Sequence, residues 1–251
     1  MTVSRVSYPQ REVCNHRLIT HYGGGNIRKK SLIFFLCLLL PVFSSCHYKE
    51  GVTTDLQKDG KVSFNRIAVV PFQRISPEDD STKAVRCPLC GSILRTEKMP
   101  QDVEKIIEDI FFERLKSQKS IQVIPPDRCG AVFDRVSAES LKASLPEILK
   151  KVGNELEAEG IIVGYVHRYR ERKGYPYSAE KPASVAFEIH LVRVSDGVIV
   201  WKGIFDKTQK SLMENILQVT SFFKGRGQWV TAKELATEGI DALLENFPGF
   251  K

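Results

Sequence analysis

The chain has 251 residues, of which 42% are hydrophobic and 27% are charged. This composition is typical of a globular protein and too apolar for a disordered chain. The formal net charge is +7, but residues 1–45 hold six basic residues and one acidic residue, which leaves a net charge of +2 on the rest. Loss of the N-terminal stretch would therefore remove most of the basic excess, and this argues against a protein that coats nucleic acid.

Residues 1–45 have the layout of a bacterial signal peptide. A basic flank at residues 28–30 (RKK) precedes an apolar run at 31–42, which is shorter than the about 20 residues needed to span a bilayer. Two serines then precede Cys46, as in a lipobox, with Phe43 at the position where Leu is usual. We therefore expect cleavage before Cys46, attachment of lipid (palmitate among the acyl groups) to this cysteine, and a lipoprotein held at a membrane of the cell envelope.

The segment around Cys46 carries two further expectations. Signal peptides usually have about 15–30 residues, whereas 45 residues precede Cys46, so we predict that translation starts downstream of Met1, near Val13 or Leu18. His47, rather than Asp, follows Cys46. In enteric-type sorting this favours the outer membrane, with the mature domain facing the periplasm.

The first half of the mature chain predicts strands and a helix in alternation. Residues 46–60 are polar and aperiodic, and we expect them to form a tether. Residues 64–72 (FNRIAVVPF) have a continuous apolar centre, which predicts a strand covered on both faces. A polar loop over 73–100 precedes a helix over about 101–118, where apolar residues recur at helical spacing, and a short strand at 121–124 follows.

Two strands at about 184–191 and 198–205 form the clearest predicted hairpin. Apolar and polar residues alternate along the first strand, and an Asp-Gly dipeptide between the two favours a tight turn. His190 lies on the polar side of the first strand, and we expect it at the surface. A further apolar strand at about 161–169 precedes this hairpin.

Capping boxes open three predicted helices, at residues 144–147, 211–214 and 231–234. The first of these helices is expected to end at Gly160. Together with the strands, the predicted element order is β-α-β-α-β-β-β-α-α. This order indicates a single α/β domain over residues 61–251, with a mixed parallel and antiparallel sheet and helices packed on it.

Three of these elements resemble the framework of a group of envelope lipoproteins. They are the strand Arg66–Phe72, the helix-to-strand step Glu159–Gly164 and the hairpin Asp196–Trp201. The group includes the curli-secretion channel protein and the activator lipoprotein of penicillin-binding proteins. The resemblance covers roughly residues 62–247 and implies a fold like the N-terminal domain of TolB. Because the matched positions belong to the framework, no functional residue carries over from it.

The Cys87-Pro-Leu-Cys90-Gly91 motif is the sharpest local signal in the chain. Two cysteines in such a turn form the usual half of a four-cysteine zinc site. Once residues 1–45 are removed and Cys46 carries lipid, Cys129 is the remaining cysteine. The histidines of the mature chain that could complete a site are His47, His167 and His190.

Three interpretations of this motif remain open from the residues alone. Exported proteins meet oxidising conditions, so a Cys87–Cys90 disulfide, or a disulfide from either residue to Cys129, competes with zinc. Thiol redox chemistry is the third interpretation. In the first two cases we expect a structural staple that orders the 73–100 loop, and we expect no cofactor other than zinc.

The segment 167–177 is basic and rich in aromatic residues, and it forms the second candidate site. It is either a solvated hairpin end whose aromatic side chains cover the sheet edge or a partner-binding surface, because Tyr and Arg are enriched at interface hot spots. The candidate surface residues are Arg168, Tyr169, Arg170, Arg172, Tyr175 and Tyr177.

The chain contains no hydrolase, metalloprotease, phosphate-loop or dinucleotide motif. We therefore expect a non-enzymatic envelope lipoprotein that binds another envelope protein as a scaffold or regulator and binds no nucleic acid. Two alternatives are a subunit of an outer-membrane secretion assembly and a metal- or thiol-dependent protein that acts through Cys87 and Cys90. The prolines in the 73–100 and 170–182 segments argue against membrane-spanning hairpins.

Overall fold

A seven-stranded sheet forms the centre of the fold. The computed structural model describes residues 51–56, 63–77, 82–118, 120–176, 178–209 and 229–249. The predicted signal peptide, the predicted lipid site at Cys46 and the helix predicted at 211–214 lie outside these residues. Within the described ranges, no helix combines the length and the hydrophobicity that crossing a membrane requires.

Strands and helices alternate along the first part of the described chain and then give way to antiparallel strands. The strands are β1 (Val52–Leu56), β2 (Arg66–Val69), β3 (Gln73–Arg74), β4 (Ala84–Arg86), β5 (Ile93–Arg95), β6 (Gln122–Ile124), β7 (Gly160–Arg170), β8 (Lys173–Tyr175), β9 (Ser178–Lys181), β10 (Ser184–Arg193) and β11 (Ile199–Thr208). The helices are α1 (Val103–Lys116), α2 (Pro126–Glu139), α3 (Leu145–Glu155) and α4 (Ala232–Leu244).

The large sheet is mixed, with the strand order β1-β11-β10-β7-β2-β6 and β3 beside β7. β2 pairs in parallel with β6 and β7, whereas β7, β10, β11 and β1 pair with one another in antiparallel fashion. β4 and β5 form a separate two-stranded hairpin, as do β8 and β9. The predicted α/β fold class with a mixed sheet and packed helices is confirmed.

Each face of the sheet carries its own hydrophobic cluster. Alternate residues of β10, such as Phe187 and Ile189, pack with α1 and α4 on one face. On the other face, Ile161, Val163 and Tyr165 of β7 pack with α2, α3 and the β4–β5 hairpin. Because both faces are covered, β10 is buried from Ser184 to Val192.

Two predicted segments differ from the structure because their signals were ambiguous. Val52–Leu56, which we expected in the tether, is an edge strand paired with β11; an edge strand with polar exposed positions lacks the apolar run of a central strand. Residues 126–139, for which the sequence predicted no element, form α2, and Pro126 begins this helix. Proline suits the first helical position because the amide there has no intrahelical partner.

Two smaller differences concern the predicted loop and one helix end. The 73–100 loop contains β3, β4 and β5. The helix opened by Ser144 ends at Glu155, and the left-handed backbone position after it is Glu157, with φ of 52°, while Gly160 begins β7. The helix predicted over 101–118 is confirmed as α1, at Val103–Lys116.

Candidate metal centre

The tip of the β4–β5 hairpin is a tight turn built around Cys87. The amide of Cys87 donates to the Ser92 carbonyl at 2.8 Å, and the amide of Gly91 donates to the Cys87 carbonyl at 3.0 Å. Gly91 has φ of 74°, a left-handed conformation that glycine adopts without strain. The amides of Leu89 and Cys90 both donate to Cys87 Sγ at 3.3 Å. These bonds fix the Cys87 sulfur in the turn.

Four metal-ligand atoms converge beneath this turn. They belong to Cys87, Cys90, Glu188 and His190, and they all lie within 4.8 Å of one another. Cys87 Sγ is 3.8 Å from His190 Nε2, Cys90 Sγ is 3.5 Å from Glu188 Oε2, and His190 Nε2 is 3.7 Å from Glu188 Oε2. Cys90 is half-buried, and the other three residues are buried.

These separations fit a tetrahedral zinc site. Zinc binds sulfur at about 2.3 Å and nitrogen or oxygen at about 2.0–2.2 Å, so the corners of such a tetrahedron are about 3.3–3.8 Å apart. Two thiolates and an imidazole favour zinc over calcium or magnesium, which prefer oxygen ligands. His190 Nδ1 is buried without a hydrogen-bond partner among the described residues. The residues present therefore fit a zinc ion bound by Cys87, Cys90, Glu188 and His190 Nε2.

Glu188 is held in place by two further side chains. His167 Nε2 lies 2.8 Å from Glu188 Oε1, and both side chains are fully buried. The Ser92 hydroxyl donates to Glu188 Oε2 at 2.5 Å. Oε1 therefore faces His167, while Oε2, which accepts the Ser92 hydroxyl, lies beside Cys90 and His190.

The two thiols are electrostatically unequal. The side-chain hydrogen bond between them raises the pKa of Cys87 above its usual range, and burial and Glu188 act in the same direction. The same hydrogen bond, with contributions from His190 and Ser92, lowers the pKa of Cys90 to about 2. The hydrogen bond between the two sulfurs therefore moves the pKa values of Cys87 and Cys90 in opposite directions.

The structure unites some of the predicted site residues and separates others. Cys87, Cys90 and Cys129 are all free thiols. Cys129 lies on α2 inside the second hydrophobic cluster and is not part of the metal-ligand group. His190, which we expected at the surface, is fully buried, because the hairpin covers the polar residues of β10. That expectation was wrong.

The residues that sequence reasoning missed are Glu188 and Ser92; His167, one of the histidines expected as a possible ligand, contacts Glu188 and is not one of the four converging residues. Glu188 and His190 are two positions apart in a strand, so their side chains share a face. Two metal-ligand types on one face, in a chain with an unfinished Cys-x-x-Cys site, are the signal that could have identified Glu188. Ser92 follows directly after the motif, but serine at that position predicts no metal role.

The predicted partner surface is only partly exposed. Arg168 and Tyr169 are buried, and this corrects their assignment to a surface. The Arg168 guanidinium donates to Ser184 Oγ, to the Arg95 carbonyl and to Asp206, so it joins the hairpin to the sheet. Tyr169 packs in the first hydrophobic cluster, and burial raises its pKa to about 12.

The other members of this predicted surface have different environments. Arg170 forms an ion pair with Glu97 at 2.7 Å, and Arg172 donates to the Trp229 carbonyl. Tyr175 is 78% exposed. Tyr177 lies outside the described residues.

The chain matches no protein-family model and no curated protein. Among solved structures, a PelC dodecamer from Paraburkholderia phytofirmans is 14% identical, and the match covers 78% of this chain and 98% of that chain with a TM-score of 0.46. Lipoprotein GNA1162 from Neisseria meningitidis is 12% identical, with 64% and 97% covered and a TM-score of 0.34. The LpoB C-terminal domain from Escherichia coli is 9% identical, with 60% and 87% covered and a TM-score of 0.35. Matches with identities and TM-scores this low carry no argument about function, which we therefore infer from the residues of this chain.

Proposed function

We propose that this protein is a lipid-anchored protein of the bacterial cell envelope whose α/β domain binds one zinc ion and acts as a non-enzymatic binding or regulatory module. The observation that supports zinc binding is the convergence of two sulfurs, an imidazole nitrogen and a carboxylate oxygen within 4.8 Å. The signal-like segment before Cys46 supports the location. The sequence contains no hydrolase, metalloprotease, phosphate-loop or dinucleotide motif, and we therefore propose a binding or regulatory role.

The ligand set indicates a structural role for the metal. Cys87 and Cys90 belong to the hairpin, whereas Glu188 and His190 belong to β10. Zinc bound here would be a Lewis acid held by four protein ligands, and such closed sites are structural, since catalytic sites keep one position open. The four side chains would therefore fasten the hairpin to the sheet.

Burial of the cluster favours a bound cation. Glu188 and His190 are fully buried, and a buried carboxylate is costly unless a cation or several hydrogen bonds compensate for lost hydration. The hairpin strands have only three residues each, so their own ladder contributes little. A bound cation offsets the charge of the cluster and orders the short hairpin at the same time.

Metal analysis of the full-length protein tests zinc binding. Protein purified from the envelope without chelators is expected to contain one zinc per chain, and the Cys87→Ser and His190→Ala variants are expected to lose it. Cys129→Ala is the matched control, because it removes a buried cysteine outside the cluster, and it should retain zinc. Wild-type protein without zinc that also takes up none when supplied would contradict the proposal.

Processing of the N-terminal segment tests the envelope location separately. Cys46→Ala is expected to accumulate as an unprocessed precursor, because lipidation at the cysteine precedes cleavage. Immunoblotting of fractionated cells measures both the size and the membrane association of the product. Normal processing and membrane association of the variant would rule out the lipoprotein assignment.

A further inference from the structure

Both sulfur ligands of the proposed zinc site come from a single turn. Two residues separate Cys87 from Cys90 in the sequence, and their sulfur atoms lie within 4.8 Å of each other. The other two ligands come from β10. A disulfide between the two sulfurs would therefore leave the hairpin with no ligand for the metal, so the metal could no longer join the hairpin to the sheet.

The third described cysteine does not compete for either sulfur. Cys129 is fully buried on α2 among apolar side chains. Cys87 and Cys90 instead lie in the same turn, where the amide of Cys90 donates to Cys87 Sγ and holds this sulfur beside Cys90. If a disulfide forms among the described residues, its partners are Cys87 and Cys90.

Access to the two sulfurs is unequal. Cys90 is half-buried at the hairpin tip, whereas Cys87, Glu188 and His190 are buried. A disulfide reagent therefore reaches Cys90 from solvent first, and Cys87 is placed to resolve the mixed disulfide. Cys90 would thus be the thiolate that attacks the external disulfide, and Cys87 the resolving thiolate that then attacks the Cys90 sulfur, both within one turn.

We propose that the centre exchanges between a zinc-bound dithiolate and a metal-free Cys87–Cys90 disulfide. The inference rests on the proposed zinc site, and the oxidant is an external disulfide. One S–S bond forms between Cys87 and Cys90 while the S–S bond of the external disulfide breaks. The two cysteine thiolates lose two electrons, the external disulfide accepts them, and its two sulfurs take two protons from solvent to leave as thiols. The zinc ion is released because Glu188 and His190 remain as its only ligands.

The exchange would loosen the hairpin tip and leave the hairpin base attached. At the base, Thr96 Oγ1 donates to the Ile75 carbonyl at 3.1 Å, and Arg168 donates to the Arg95 carbonyl at 3.2 Å. Neither bond involves a sulfur. Arg86, next to the tip, is exposed and offers a trypsin site whose cleavage reports the order of the turn.

The test treats reduced, zinc-loaded, full-length protein in detergent with oxidised glutathione. We expect one zinc to be released for each disulfide formed, and the tryptic peptide spanning residues 87–95 to become lighter by two hydrogen atoms. Cleavage after Arg86 should accelerate in parallel, and a dithiol reductant with zinc should reverse all three changes. Zinc retained at full occupancy, or released without a Cys87–Cys90 disulfide, would overturn the exchange.

Two variants sharpen the result. His190→Ala removes a ligand but neither sulfur. Because this variant is expected to lose zinc, its sulfurs are unprotected and should form the disulfide about tenfold faster than those of the zinc-loaded wild type at the same glutathione concentration. Cys129→Ala should release zinc at the wild-type rate. An unchanged rate in His190→Ala would contradict the exchange. Zinc that binds stoichiometrically yet resists oxidation overturns this inference alone, whereas a protein that never binds zinc overturns the proposed function as well.

Discussion

At the scale of single residues, one irregular position in β7 builds the surroundings of the metal centre. Val166 pairs with Phe187 and Arg168 pairs with Ala186, so His167 is an extra residue in the ladder between β7 and β10. Such a bulge redirects side chains locally. As a result His167 and Arg168, although consecutive, both contact the side of the sheet that the hairpin covers.

His167 is expected to act as a positioning residue for Glu188. In His167→Leu the Glu188 carboxylate loses its 2.8 Å contact, and zinc affinity should fall about 10–100-fold, as for other residues that orient metal ligands. His167→Gln, whose side-chain amide can reach the same carboxylate, should recover most of the affinity. Titration against a chelator of known affinity measures the difference. Equal zinc affinity in wild type and His167→Leu would show that His167 does not orient the ligand.

Cys129 is expected to be chemically silent in the folded protein. Burial raises the pKa of its thiol to about 12, so almost no thiolate is present at pH 8, and the side chain is inaccessible. Iodoacetamide at pH 8 should leave Cys129 unmodified in native protein and alkylate it after unfolding in guanidinium, as mass spectrometry of its peptide can measure. Equal alkylation of Cys129 in the native and unfolded protein would contradict its burial.

At the scale of elements, strong hydrophobic periodicity and capping boxes predicted helices and strands correctly. The helical spacing of α1 and the capping box of α4 identify those helices from sequence, and alternation identifies β10. α2 was missed because a proline pair that ends one element also begins the next. β4 and β5 were missed because strands of three residues are too short to show any period.

The metal centre was only half predictable from the sequence. Cys87 and Cys90 carry a local motif, whereas Glu188 and His190 lie about 100 residues further along and look like the solvated side of a strand. The exposure of each face of β10 depends on where the β4–β5 hairpin packs, and the local sequence pattern does not predict that packing. The alternation of β10 was therefore correct as a period and wrong as a prediction of exposure.

The capping box of α4 offers a test of an element predicted from sequence. Glu234 N donates to Thr231 Oγ1 at 3.2 Å, and Thr231 N donates to the Glu234 carboxylate at 2.8 Å. Thr231→Ala should lower the free energy of unfolding by about 1 kcal/mol, because an amide of the first turn loses its acceptor. Thr231→Ser keeps the acceptor and serves as the control. Denaturant unfolding of the two variants with equal midpoints would contradict the cap.

At the scale of the whole molecule, Tyr175 is the best-exposed described member of the predicted partner surface. It is 78% exposed at the end of β8, and tyrosine is enriched at interface hot spots. A photo-cross-linking amino acid at Tyr175 is expected to give a discrete adduct with an envelope protein in intact cells. Leu141, which is 87% exposed on the α2–α3 connection, is the matched control position and should give none. No adduct at Tyr175, or the same adduct at both positions, would contradict a partner site there.

The proposed zinc ion joins the β4–β5 hairpin to β10 and takes part in the proposed exchange with the disulfide, so its coordination is the property to measure first. X-ray absorption at the zinc edge of the reduced, full-length protein reports the identity and distance of the ligand atoms. We expect two sulfurs at about 2.3 Å and two nitrogen or oxygen atoms at about 2.0–2.2 Å from the zinc. The double variant Cys87→Ser/Cys90→Ser should show no sulfur ligand. A zinc shell without sulfur in the wild-type protein, or a wild-type protein that binds no zinc under reducing conditions, would contradict the proposed site.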